Sequence, residues 1–135
     1  MADGGRNHRM RMRSYRDLEV WQHGMLLARE IYRATENFPK SELFGLTAQM
    51  RRAAVSVPSN IAEGQGRSSD RAFRVFLAQA CGSLFELETQ LELAKDFGFV
   101  TRESHDRMRQ EWGTVGRLLH GLLRSLQEGI SAHNP

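Results

Sequence analysis

Apolar positions recur along this chain in alternating steps of three and four residues, in four separate stretches. The first runs Leu18, Trp21, Met25, Ala28 and Tyr32. The second runs Leu43, Leu46, Met50, Ala53, Val57 and Asn60, with an amide at its last position. The third is the longest: Phe73, Leu77, Ala80, Leu84, Leu87, Leu91 and Ala94. Met108, Trp112, Val115, Leu119, Leu122 and Leu126 make the fourth. Spacing of this kind is the seam of a helix packed nearly parallel to its neighbours. No alternating strand pattern competes.

The punctuation between stretches agrees. "NFPKSE" separates the first two, with Ser41 a candidate N-cap ahead of Glu42. "GQGRSSD" follows the second, where Gly64 and Gly66 can end a helix and Ser68 or Ser69 can start one. In "DFGFVTRE", Gly98 terminates and Thr101 caps. Helices are expected near residues 17–36, 42–64, 70–96 and 102–128. Connections this short favour antiparallel neighbours, so the fold class is all-α, an up-down-up-down four-helix bundle over residues 15–130.

Each stretch also carries a second set of apolar residues. The first adds Val20, Leu27 and Ile31; the third adds Phe76, Cys81 and Leu93; the fourth adds Leu118, Leu123 and Ile130. Two stripes on several helices exceed what one small bundle can bury. That points to contacts between subunits.

The second stretch contains a local oddity, "RRAAVSVPSNIAEGQGR". The pattern continues through Pro58 to Ile61 and Ala62, although a proline inside a helix costs roughly 3 kcal/mol. Small residues surround it: Ala53, Ala54, Ser56, Ser59 and Ala62, with Ala78, Ala80, Gly82 and Ser83 on the third stretch. Small side chains permit close approach, and hydroxyls can occupy backbone groups freed by a kink. The expectation is a bent but continuous helix held by a polar cluster. Asn60 is partly buried and hydrogen-bonded there, and Glu63 is paired with Arg67 or Arg52.

Charge changes the picture at one place only. Of 19 basic and 16 acidic residues, "MADGGRNHRMRMRSYR" holds five arginines and one acid, leaving the rest of the chain at −1. Residues 1–14 read as a disordered basic arm on a nearly neutral body. Such an arm is either a solvated leader ahead of a start at Met10 or Met12, or a phosphate binder. The nucleic-acid candidates are Arg6, Arg9, Arg11 and Arg13 on the arm, with Arg51, Arg52 and Arg67 on the body. Seventeen arginines against two lysines favour RNA slightly, because the planar guanidinium suits phosphates and base stacking.

Enzyme chemistry finds little support. The five histidines form no HExxH or repeated Glu-x-x-His pattern. Cys81 sits mid-helix without a base nearby in the sequence, and "GQG" lacks the rest of a phosphate loop. The reading is a non-enzymatic protein with no cofactor, metal or small-molecule substrate. A single cysteine and no apolar run near ~18 residues fit a reducing, cytoplasmic setting without a membrane partner.

Three segments carry a family resemblance: "YRDLEVWQHGMLLAREIYRATENFP", "ELFGLTAQMRRAAVSVPSNIAEGQGR" and "FLAQACGSLFELETQLELA". Together they resemble the bacterial four-helix bundle proteins encoded in intervening sequences of 23S ribosomal RNA genes. The match covers about residues 15–126, and Ser56 to Gly64, with Pro58, Asn60 and Glu63 inside it, is its most specific part. The resemblance implies a ring-like homopentamer. It also implies distant kinship with the accessory variability determinant proteins of diversity-generating retroelements, basic pentamers that work with a reverse transcriptase and RNA. The expected function is therefore an oligomeric scaffold for RNA or an RNA-processing partner such as a reverse transcriptase. The alternative is a protein–protein interaction module without nucleic acid.

Overall fold

The computed structural model of the chain describes residues 14–133. Four helices follow in order: α1 Glu19–Thr35, α2 Leu46–Gln65, α3 Asp70–Asp96 and α4 Arg102–His133, with no strand among the described residues. Successive helices pack side by side, and α1 also packs on α4, which closes an antiparallel square. The tightest pairing is α2 with α3. No helix among the described residues is long and apolar enough to cross a membrane.

Local chemistry explains most of the boundaries. The Ser69 hydroxyl accepts from the Ala72 N–H at 3.1 Å and opens α3. Thr101 does the same for Ser104, at 3.1 Å, and opens α4. Gly98 takes φ +75°, a left-handed conformation that only glycine adopts readily, and stops the chain after α3. The start of α2 differs from expectation. Residues Lys40–Glu42 form a 3₁₀ turn, and the helix begins only at Leu46. Its cap is not the Ser41 hydroxyl but the Glu42 carboxylate, whose Oε1 accepts from the Leu46 N–H at 3.1 Å. A carboxylate reaches further than a hydroxyl, so the cap acts four residues downstream.

The core confirms three seams and redraws the fourth in part. Every residue expected on the α3 seam is buried. On α2, Leu46, Met50, Ala53 and Val57 are buried, whereas Leu43 lies outside the helix and is exposed. On α4, Met108, Val115, Leu119 and Leu126 are buried. On α1 both stripes share the core: Leu18 and Ala28 of the expected seam are buried together with Val20, Leu27 and Ile31, while Trp21 and Met25 are half-exposed and Tyr32 is exposed. Buried Gly24 decides this. It turns toward α2, and Val20, Leu27 and Ile31 lie on its side of the helix. Leu93, of the second apolar set on α3, is exposed. The Ile130 side chain lies outside the described residues.

Gly64 has a different task from ending α2. The helix runs one residue further, and the following Gly66 is right-handed, φ −77°. Buried Gly64 instead lets α3 approach: a Cβ there would lie 2.8 Å from Phe73 Cδ1, 2.8 Å from Phe76 Cβ and 3.3 Å from the Phe73 carbonyl oxygen. Gly64→Ala therefore has to push the α3 backbone away. Urea unfolding should show a loss of about 1–3 kcal/mol, against the small gain expected at an open helical glycine.

Candidate functional site

Pro58 continues α2, as its neighbourhood suggested. It has no N–H to offer the Ala54 carbonyl. Its buried ring rests directly on Gly24 of α1, where an added Cβ would meet Pro58 Cβ at 3.5 Å and Cδ at 3.6 Å. A polar chain on the α3 side stitches the same turn. Asn60 Nδ2 donates to the Ser56 carbonyl at 2.9 Å and to the Ser56 hydroxyl at 3.0 Å. The Ser56 and Ser83 hydroxyls then meet at 2.8 Å across the α2–α3 seam. Asn60 is half-buried. Glu63 pairs with Arg67 one turn on, at 2.8 Å.

The body arginines do not converge. Arg51 is spent on α1: its Nε donates to Thr35 Oγ1 at 2.8 Å, and its guanidinium lies 4.5 Å above the Tyr32 ring. Arg67 is engaged with Glu63 and stacks 4.8 Å from Phe76. Arg52 is exposed. Arg51 and Arg67 stand roughly 24 Å apart along the helix direction at about 1.5 Å per residue. Arg6, Arg9, Arg11 and Arg13 lie outside the described residues.

What the fold builds instead is two apolar grooves on opposite faces of the square. One, of about 540 Å³, lies between α1 and α2. Trp21, Met25 and Tyr32 wall it, Ala28 and Pro58 are among the residues beneath, and Arg29 and Arg33 stand at its edge. The other, of about 490 Å³, lies between α3 and α4. Phe85 and Trp112 wall it, Gly113, Gly116 and Gly121 leave the α4 surface bare, and Arg117 and Arg124 line it. Trp112 is fixed by its indole N–H, which donates to the Leu84 carbonyl at 2.7 Å, and by Arg109 stacked 4.7 Å above its ring. The seam assignment on α1 hid the first groove. A five-position exposed stripe on α3, Val75, Ala78, Gly82, Phe85 and Thr89, repeats the three–four step and was the readable signal of the second.

Reactive groups are quiet. The Cys81 thiol borders the α3–α4 groove, and burial pushes its pKa up from the ordinary thiol value. Two histidines serve as interhelical ties: His23 to Glu111 at 2.6 Å between α1 and α4, and His105 to Glu92 at 3.0 Å between α3 and α4. Among the described residues no three His, Cys, Asp or Glu side chains are grouped to hold a metal ion.

A family model described as 23S rRNA-intervening sequence protein matches residues 16–121. A crystal structure from Bacteroides thetaiotaomicron VPI-5482, described as a protein with unknown function from the S23 ribosomal protein family, shares the fold. Its TM-score is 0.70 at 24% identity, over 77% of this chain and 97% of that one. No curated protein matches the chain.

Two measurements check this site. Asn60→Ala removes both side-chain hydrogen bonds to Ser56 beside the proline and should cost about 1–2 kcal/mol in chemical denaturation. A melting temperature unchanged within a degree would place Asn60 outside the structural cluster. At Cys81 only the thiolate reacts, and a raised pKa lowers the thiolate fraction at neutral pH. Alkylation by iodoacetamide at pH 7.5 should therefore be several-fold slower than for free cysteine, rising about tenfold per pH unit until the thiol titrates.

Proposed function

The chain belongs to the 23S rRNA-intervening sequence protein family, and we propose that it is a non-enzymatic scaffold of the bacterial cytoplasm that assembles into a ring and holds RNA. One observation carries the reading: two different apolar grooves occupy opposite faces of one bundle. A single two-fold dimer, where the same patch meets itself, covers only one of two opposite faces. They suit a head-to-tail contact, which closes into a ring when the rotation between copies divides a full turn. A homopentamer is the ring implied by the family resemblance.

The RNA part rests on the arginines. Arg6, Arg9, Arg11 and Arg13 precede a body whose own charge is −1. The body therefore adds little general attraction, and the binding free energy comes from the arms. Several weak arms on one ring raise avidity without any new contact. Arg52, exposed on α2, is the body residue best placed to add a phosphate contact, since Arg51 and Arg67 are already engaged. Sequence preference is slight, because the arms carry no groove-reading motif. A reverse transcriptase or other RNA-processing protein would then meet the ring through the RNA it carries.

Gel-shift on a structured RNA tests this, with light scattering run alongside. The full chain should bind with a log–log salt slope of about −0.7 to −0.9 per phosphate neutralised. Removing residues 1–14 should abolish most of the binding and leave the assembled mass, less the deleted residues, unchanged. No binding at low salt, with the ring intact, would replace RNA by a protein partner.

A further inference from the structure

We infer that two copies of this chain mesh by a half-step: the outer face of α3 enters the α1–α2 groove of the next copy, while that copy's α1 enters the α3–α4 groove. This rests on the ring reading above and adds which faces meet and in what register. The starting observation is surplus apolar surface on complementary shapes. Phe85 and Val75 are each 55% exposed on α3, a degree of exposure that an isolated bundle has no reason to maintain on one stripe. The α1–α2 groove is walled by long side chains over a floor that includes Ala28 and Pro58. The α3–α4 groove is opened by glycines on α4.

Charge decides how the faces are offset. Both grooves are edged by arginines: Arg29 and Arg33 on one, Arg117 and Arg124 on the other. Setting groove directly against groove brings like charges together. Sliding the faces by one helix removes the conflict, because α3 carries exposed Glu86 beside Phe85, and α1 carries exposed Glu19 beside Val20.

Heights along the bundle then supply the register. In a ring whose axis runs along the helices, rotation leaves each residue at its own height, so levels within one bundle are levels between copies. Gly24 of α1 faces Pro58 of α2, and Ser56 of α2 faces Ser83 of α3. Counting from these antiparallel contacts, Ala28 stands level with Ala54 and with Phe85, and Arg29 with Ala53 and with Glu86. The exposed phenylalanine thus comes opposite the smallest residue of the α1 stripe, and the glutamate opposite an arginine. His23 faces Glu111 and Glu30 lies 4.0 Å from Arg107, which sets the heights of α1 against α4. The direct α1–α4 contacts put Trp21 level with the stretch from Gly113 to Gly116. The route through α3, by Glu88–Arg109 and Glu92–His105, puts it about one turn further on. Trp21 thus falls within the glycine-lined part of the groove, with Glu19 between Arg117 and Arg124. A large ring meets a bare helix surface, again with opposite charges alongside.

The test uses the full chain by light scattering, with circular dichroism to verify folding. Phe85→Asp damages only the α3–α4 face, and Met25→Asp only the α1–α2 face. Both residues are at least partly exposed, so each variant should stay helical and run at monomer mass. Mixed together, the two retain one intact contact and should form a 1:1 dimer at twice that mass. Arg29→Glu alone should raise the assembly midpoint by up to about fivefold per contact, and adding Glu86→Arg in the same chain should restore it. Parent-like assembly of either single variant, or a mixture that stays monomeric, overturns the proposed faces while the ring reading stands. A parent that is itself monomeric at tens of micromolar overturns both.

Discussion

The approach of α1, α2 and α3 through residues with little or no side chain is the constraint on which this bundle depends. Gly24 admits the Pro58 ring, and Gly64 admits Phe73 and Phe76. Both contacts belong to α2, which explains why that helix carries the oddest composition in the chain. A proline there sacrifices a backbone hydrogen bond but contributes a rigid apolar disc that fits a glycine notch on its neighbour. Nearby, Asn60, Ser56 and Ser83 tie the same turn to α3, so the proline turn is held from two sides.

Much of this fold is legible in the chain because hydrophobic spacing and end signals point the same way. The α3 seam is fully legible, since it has one dominant stripe and a hydroxyl cap. On α1 the reading fails in part, for a physical reason. Its second stripe has only three apolar residues, Val20, Leu27 and Ile31, with a gap at Gly24, against five on the first, and aromatic residues weigh heavily toward the core. What separates them is Gly24, a residue that adds nothing to a hydrophobic count yet marks where another helix lies closest. The N-terminus of α2 is similarly hidden. A serine cap is the commoner device, and a glutamate reaching four residues forward leaves no local pattern to distinguish it.

Less of the candidate site could be read. Positive residues are visible in a sequence, but their engagement only in part: the Glu63–Arg67 pair follows from its spacing, whereas Arg51 resembles a free cation until Thr35 and Tyr32 appear beside it. The grooves were foreshadowed only as a surplus of apolar residues. Their location depends on which stripe of α1 faces inward, and that in turn depends on the glycine and the proline.

The unequal pairing of the helices bears on how the chain acquires its structure. The extensive α2–α3 contact is closed by a connection of only four residues, Gly66 to Ser69. Its loop-closure entropy is small, so these native contacts are the least costly to assemble first. Joining α1 to α4 requires nearly the whole chain. During synthesis α1 emerges ahead of everything that covers it, with both of its apolar stripes in water. The interval before α2 arrives is when this chain is most open to non-native association.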